Sequence, residues 1–168
     1  PGGTLGVGIP GAIGAKLAHP RRTVVGLTGD GGAMYTYQAL WTAAHRRLAA
    51  KFIVCNNRSY RLLKINLLDY WRGIGLGADA FPKSFPAPFD IDDPAVDFVS
   101  LAGALGVPGV RVERPDEIAP AIRAMLDAGG NRSGPSLLAA FCTLDLALAL
   151  RFRWLASAGT PGWRRAHG

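Results

Sequence analysis

The 168-residue sequence predicts an α/β fold, a doubly wound parallel sheet with helices on both faces. Two short, continuously apolar runs, at 23–27 and 51–55, are typical of strands that are buried on both sides. The segment between them has a helical pattern, so strand, helix and strand make one βαβ unit with parallel strands. A regular alternation of helix and strand returns between residues 97 and 141.

The first half of the chain carries a signal for each of its elements. Residues 7–18 place small and apolar residues on a helical period, and the His-Pro pair after them ends the helix. The strand at 23–27 runs into a tight glycine-rich turn at 29–32. A helix with cations in its last turn follows at 35–47, and the strand at 51–55 ends in an asparagine pair.

The second half begins with a long proline-rich connection. Residues 58–95 include a possible helix at 60–71, and long connections of this kind are often lids or binding loops. The alternating elements beyond it are a helix at 97–105, a strand at 109–113, a helix at 115–128 and a strand at 136–141.

The excess of positive charge lies mostly at the C-terminal end of the chain. There are 19 Lys and Arg against 12 Asp and Glu, a net charge of +7, and residues 151–168 add four arginines and no acid. Basic tails are usually solvated, so no nucleic-acid partner is expected. We expect one domain over residues 1–141 and an atypical basic tail over 142–168.

The cysteines and the apolar stretches indicate a cytoplasmic protein. Cys55 and Cys142 each lie in an apolar run, which is typical of reduced core cysteines. The longest apolar stretch, 137–150, contains Asp145 and is too short to span a membrane, so no membrane partner is expected. The chain begins at Pro1 with no leading structural element, and we therefore expect a fragment of a longer enzyme.

Two successive strands end in residues that suit a hard cation. Asp30 offers a carboxylate and Asn57 an amide oxygen, and Mg²⁺ commonly takes a few protein oxygens together with phosphate oxygens and water. A third protein oxygen could come from the turn at Ser59, as its main-chain carbonyl. Ligands of open parallel sheets bind outside the carboxyl ends of the strands, so a magnesium site with room for a diphosphate is predicted there.

The spacing of the two motifs supports one shared site. Between Gly31 and Asn56 lie the 24 residues 32–55, enough for one helix and one strand, which returns the second motif beside the first. Glycines at 29, 31 and 32 allow backbone N–H groups to approach phosphates at the start of the following helix. Taken singly, Asp30 could cap that helix and the asparagines could form a turn.

GDG at 29–31 followed at this distance by NN at 56–57 resembles the signature of thiamine-diphosphate-dependent enzymes. The likeness covers about residues 2–140. GTLGVGIPGAIGAKLAHP at 3–20 and GDGGAMYTYQALWTAA at 29–44 are most similar to the benzoylformate decarboxylase and acetolactate synthase branch. The resemblance implies the C-terminal diphosphate-binding domain of a lyase or transferase, with thiamine diphosphate and Mg²⁺ as cofactors. Its substrate would be a 2-keto acid, in a decarboxylase or a carboligase.

The resemblance also implies a role for individual residues. The magnesium ligands would be Asp30, Asn57 and Ser59. The residues that shape the rest of the cofactor site would be Gly29, Gly31, Gly32, Asn56 and Tyr60. The sequence departs locally from the decarboxylases after Tyr60, where they have a glycine and this chain has Arg61, so aromatic substrates are not implied.

Two residues near the N-terminus are implied to act on the reactive end of the cofactor. The Gly3 carbonyl would accept a hydrogen bond from the 4'-amino group, and Leu5 would hold the cofactor in a bent shape. The family's essential glutamate comes from a pyrimidine-binding domain of the same or a neighbouring subunit. We therefore expect a homo-oligomer at full length, and a fragment that by itself binds cofactor weakly and turns nothing over.

Two alternatives stay open on the sequence alone. Residues 6–11, GVGIPG, match the dinucleotide-binding fingerprint GxGxxG, and Asp30 lies where a ribose-binding acid could follow. No strand precedes these glycines and Pro10 lies inside the fingerprint, which argues against a nicotinamide site. The other alternative is a truncated, catalytically inactive binding module.

Overall fold

A computed structural model of the chain describes residues 4–81, 84–127 and 134–141. These residues fall into two compact units. The first contains residues 4–60, 86–127 and 134–141, and the second contains 61–81 and 84–85. The predicted tail at 142–168 lies outside the described residues, so the domain boundary at 141 stays a prediction.

The first unit alternates helices and strands as the sequence predicts. Its helices are α1 (Gly8–Ala18), α2 (Asp30–Met34), α3 (Ala39–His45), α5 (Phe98–Ala104) and α6 (Pro115–Asp127). Its strands are β1 (Val25–Gly29), β2 (Lys51–Asn56), β3 (Gly109–Val112) and β4 (Ser136–Phe141). The second unit contains α4 (Arg61–Gly73), so the possible helix after Tyr60 is confirmed.

The strands form a parallel sheet in the order β1-β2-β4-β3. Gly29 at the end of β1 is in register with Cys55, one residue before the end of β2. In a parallel sheet all carboxyl ends lie at one edge, so the residues that follow β1 and β2 meet there.

Helices cover both faces of this sheet, as predicted. Alternate residues of β2 and β4 point to opposite sides, with Phe52 and Leu137 in one core and Leu138 in the other. The larger core also holds residues of α1, α3 and α5: Ile9, Ile13, Leu40, Ala43, Phe98 and Ala102. The smaller core joins α6 to β3 and β4 through Met125 and Val112.

Small residues let α1 lie unusually close to β1. A Cβ on Gly26 would lie 2.7 Å from the Ala12 Cβ, and a Cβ on Gly8 would lie 2.9 Å from the Leu27 carbonyl oxygen. Any side chain at these two positions would push helix and strand apart. The regular spacing of small residues in the sequence therefore reflects the short distance between α1 and β1.

Three predicted segments differ from the structure, and the differences have a physical reason. The first strand is predicted at 23–27 and lies at Val25–Gly29, so Thr28 and Gly29 extend it as far as Asp30. The expected tight turn at 29–32 is instead the start of the short helix α2. The helix expected at 35–47 narrows to Ala39–His45, after turns at 35–38. Local glycine content favoured a turn, whereas the buried carboxylate of Asp30 favours a helical start.

The second unit is held together by aromatic contacts. The Trp71 ring lies 5.4 Å from that of Phe81 and 6.1 Å from that of Phe85, and the Lys64 ammonium lies 5.3 Å from the Phe85 ring centre.

None of the helices in the described ranges has the length and hydropathy needed to cross a bilayer.

Asp97 fixes the start of α5. Its Oδ1 accepts the N–H groups of Val99 and Ser100 at 3.1 Å, and the Ser100 hydroxyl donates to its Oδ2 at 2.8 Å. Arg111 of β3 lies 2.7 Å from Oδ1. Chiefly the Ser100 N–H, then its hydroxyl and Arg111, lower the pKa of Asp97 from 3.8 to about 2.

We predict that Asp97→Ala lowers the Tm by about 2–6 °C at pH 7, because the cap and the ion pair are lost together. The folded pKa lies below the unfolded one, so this stabilisation is complete above pH 3.8 and is lost as the pH falls through about 2. Thermal melts from pH 7 to pH 2 test it. Asp127→Ala, an exposed acid at the end of α6, is the control, and a constant deficit down to pH 2 contradicts the assignment.

Candidate functional site

Asp30 is a buried carboxylate at the junction of β1 and α2. Asp30 is only 4% exposed, and its Oδ1 accepts the Gly31 N–H at 2.8 Å. Gly29 is the N-cap residue of α2 with extended backbone, so Asp30 is already the first helical residue. Asp30 therefore does not occupy the N-cap position, although its carboxylate accepts the N–H of the next residue in the first turn.

A hydrogen bond joins Asp30 to the asparagine pair. The Asn57 N–H donates to the Asp30 Oδ2 at 3.0 Å across 27 positions of sequence. This bond closes the gap between the ends of β1 and β2, which the sheet register has already brought side by side. The two motifs therefore meet at one point, as their spacing predicts.

The segment after β2 is folded by its own side chains. Asn56 Oδ1 accepts the Arg58 N–H at 3.1 Å, and Asn57 Oδ1 accepts the Ser59 N–H at 2.9 Å. Arg58 lies in the left-handed region with φ of 54°, which lets the chain reverse between these bonds. Both asparagines are thus turn formers, and this does not exclude a further ligand, since an amide oxygen has two lone pairs.

Ser59 is tied to a segment that sequence patterns did not assign to the site. Residues 89–91 run antiparallel to 58–60: the Tyr60 N–H donates to the Phe89 carbonyl at 2.8 Å and the Ile91 N–H to the Arg58 carbonyl at 3.0 Å. The Ser59 hydroxyl also donates to the Phe89 carbonyl, at 3.1 Å. The two backbone hydrogen bonds of this bridge use the carbonyls of Phe89 and Arg58, and the Ser59 carbonyl takes part in neither.

Gly31 provides the space in which Tyr60 lies. A Cβ on Gly31 would lie 2.5 Å from Cε1 and 2.8 Å from Cδ1 of the Tyr60 ring. The second glycine of the GDG motif is thus required by a side chain of the neighbouring turn. Gly32 is less restricted, with the Thr28 hydroxyl 3.1 Å from its would-be Cβ.

The predicted N-terminal site residues are placed less completely. Gly3 lies outside the described residues. Leu5 lies in the turn before α1 and is 62% exposed. Gly6, at φ of +85°, follows it, and its carbonyl accepts the Thr36 hydroxyl at 2.6 Å, which fastens this turn to the segment after α2.

The donor set at Asp30 suits Mg²⁺ better than a softer metal. It offers carboxylate, amide and carbonyl oxygens, the hard ligands that magnesium prefers. Each Asp30 oxygen accepts one N–H and keeps a further lone pair for a cation. Within the described ranges, no group of three or more His, Cys, Asp or Glu is arranged to hold a metal.

The placement of the GxGxxG match argues against a dinucleotide site. Gly8 and Gly11 lie within α1, and in the described part of the chain the first strand comes after this helix. A dinucleotide fingerprint needs its glycines in the turn between a strand and a helix. Gly8 and Gly11 do not lie in such a turn.

Comparison with known proteins agrees with the geometry. The family model for the thiamine pyrophosphate enzyme C-terminal TPP binding domain matches residues 2–140. Benzoylformate decarboxylase of Pseudomonas aeruginosa is 36% identical over 126 residues, 75% of this chain and 21% of that protein. IlvX of Mycobacterium tuberculosis, provisionally named an acetolactate synthase large subunit, is 42% identical over 123 residues, 73% of this chain and 23% of that protein.

A solved structure shares the fold. The thiamine diphosphate-dependent 4-hydroxybenzoylformate decarboxylase of Rhodococcus jostii RHA1 matches with a TM-score of 0.67 and 33% identity. The match covers 84% of this chain and 24% of the decarboxylase chain. The chain thus spans between 21% and 24% of the length of these three proteins.

We predict that Gly31→Ala lowers the free energy of unfolding by about 1–3 kcal/mol, because its methyl group would overlap the Tyr60 ring. Urea denaturation measures this. In a Tyr60→Ala background the same change should cost less, since the clashing ring is gone.

The matched control for this substitution is Gly14→Ala. Gly14 is also helical, and nothing lies within 4 Å of its would-be Cβ, so alanine there should leave the stability unchanged or raise it by up to about 1 kcal/mol. Equal costs of Gly31→Ala with and without the Tyr60 ring would show that the ring does not fill this space.

Proposed function

The chain belongs to the thiamine pyrophosphate enzyme family, as a C-terminal TPP binding domain, and from this we propose that it holds the diphosphate through one Mg²⁺ at Asp30 and Asn57. The observation that carries the proposal is the hydrogen bond from the Asn57 N–H to the Asp30 Oδ2. It holds the backbone of Asn57 against the Asp30 carboxylate, while the Asn57 amide oxygen accepts the Ser59 N–H in the same turn. The Ser59 carbonyl is proposed as the third protein ligand.

The contacts of Asp30 support a preorganised metal ligand. A buried carboxylate that accepts two N–H bonds cannot rotate freely, so its remaining lone pairs have a fixed direction. The turn at 56–59 holds the Asn57 amide in the same way, through the Ser59 N–H. A cation would meet ligands that need little reorganisation.

We assign the diphosphate itself to the glycines beside Asp30. Gly29 and Gly32 carry no side chain that would keep a phosphate from the backbone. The Gly31 N–H is already taken by Asp30, so it positions the carboxylate. Asn56 and Tyr60 complete the proposed site as its walls, Asn56 through the turn and Tyr60 through its ring against Gly31.

The proposed reaction class is decarboxylation of a 2-keto acid or carboligation. Its support is that the similar proteins are named as benzoylformate decarboxylase, 4-hydroxybenzoylformate decarboxylase and acetolactate synthases. When bound, thiamine diphosphate supplies the electron sink for the carbon–carbon bond that breaks or forms. The roles proposed for the Gly3 carbonyl and Leu5 are to position the cofactor ring. Lyase or transferase chemistry would belong to the longer protein.

A pyrimidine-binding domain and a second subunit are proposed as partners. Large apolar side chains near the proposed site are open to solvent: Leu27 is 64% exposed, Leu5 62% and Tyr35 61%. Exposed apolar surface commonly marks a protein interface, and this supports the proposal. The inactivity of the chain by itself and its cytoplasmic location stay predictions.

We predict that Asp30→Ala removes the dependence of thiamine diphosphate binding on Mg²⁺ and weakens binding by about 10- to 100-fold, because the anionic ligand is lost. Isothermal titration calorimetry with Mg²⁺ and with a chelator measures both effects. NAD should give no heat in either buffer.

Asp116→Ala removes an exposed acid of α6 and serves as the control for charge. Since Asp30 also accepts two backbone N–H bonds, Asp30→Asn is the second variant, and circular dichroism checks that each remains folded. Magnesium-dependent affinity equal to wild type in a folded Asp30 variant would contradict the proposed site.

A further inference from the structure

Two lysines are buried at the amino-terminal edge of the sheet, opposite to the edge that holds Asp30. Lys16 of α1 and Lys51, the first residue of β2, are each only 2% exposed. Lysine is rarely buried without an anionic partner, because removing an ammonium group from water is costly. The burial of Lys51 therefore needs a physical account.

Lys51 is poorly compensated by the protein. Its ammonium group donates to the Gly134 carbonyl at a long 3.4 Å, and within the described ranges it has no carboxylate within ion-pair distance. Lys16 donates to the Arg22 carbonyl at 2.6 Å. Burial, and then the charge of Lys16, lower the pKa of Lys51. A positive potential is thus concentrated at this point.

A cavity opens beside Lys51. Its volume is about 390 Å³, and its described lining includes Arg47, Lys51 and Ser136 but no acid. The Ser136 hydroxyl oxygen is buried without a hydrogen-bond partner in the described part of the chain. The remaining walls are small or apolar, among them Ala44 and Pro108. Two basic side chains and one unpaired hydroxyl therefore belong to residues that line this space, and no carboxylate belongs to its described lining.

We propose that this cavity binds a phosphate group, either as the free ion or as the head of a small phosphate ester, between Lys51, Arg47 and Ser136. An anion there supplies the counter-charge that Lys51 lacks and an acceptor for the Ser136 hydroxyl. Arg47 is exposed, lines the cavity and offers a planar fork of donors suited to phosphate. The site is independent of the proposed cofactor site, since it uses none of its residues.

Isothermal titration calorimetry of the 168-residue chain with inorganic phosphate and with glycerol phosphate tests this proposal. One ion per chain is expected, and the tighter of the two probes identifies the free ion or the ester. Lys51→Met keeps the length of the side chain and removes its charge, and should weaken binding at least about 10-fold. Arg47→Gln should weaken it less, and Arg123→Gln, an exposed arginine of α6, should leave it unchanged.

Thermal melts separate specific binding from the general stabilising effect of phosphate. Phosphate should raise the Tm of wild type by about 2 °C or more beyond its effect on Lys51→Met, with chloride at equal ionic strength as reference. Without phosphate, Lys51→Met should melt no lower than wild type, because a buried charge has been removed. Equal phosphate affinity in wild type and Lys51→Met overturns the proposal. If that variant does not fold, equal affinity of Arg47→Gln and Arg123→Gln overturns it.

Discussion

The carboxylate of Asp30 is the constraint on which the rest of the proposed site depends. It is buried, yet both of its oxygens accept backbone N–H groups, one from the next residue and one from Asn57, which directly follows the neighbouring strand. A buried carboxylate without such partners would be strongly destabilising. The same two bonds that make its burial tolerable also fix the direction of its free lone pairs. The same pair of hydrogen bonds therefore stabilises the buried carboxylate and orients the proposed ligand of the cation.

That contact requires the strand ends to be held in register, and the helix packing does this. Gly8 and Gly26 bring α1 against β1 closely enough that no side chain fits between them, while Phe52, Leu40 and Phe98 fill the core beneath β2. Tyr37 adds a second link, since its buried hydroxyl donates to the Phe98 carbonyl at the start of α5. The carboxyl edge of the sheet is therefore positioned by apolar contacts well removed from the oxygens that would bind a metal.

The two edges of the sheet carry charges of opposite sign. The carboxyl edge presents Asp30 and two amide oxygens, suited to a cation and through it to a diphosphate, whereas the amino edge presents Lys16, Lys51 and Arg47. Asp30 and Lys51 are each buried with backbone partners and without an opposite charge among the described residues. This is the arrangement expected where a bound ion completes the electrostatics.

The sequence by itself determined the fold class, the order of the elements and the meeting of Asp30 with the asparagine pair, because strand ends in a βαβ unit and the 24-residue spacing leave little other choice. It also carried the resemblance that the family match confirms. Only the tertiary structure decided that the glycine-rich segment starts a helix, that Gly31 makes room for Tyr60, and that residues 89–91 pair with the turn at Ser59. It alone placed Lys51 beside a cavity with Ser136. These features depend on contacts between residues far apart in the chain, which periodicity and local propensity do not contain.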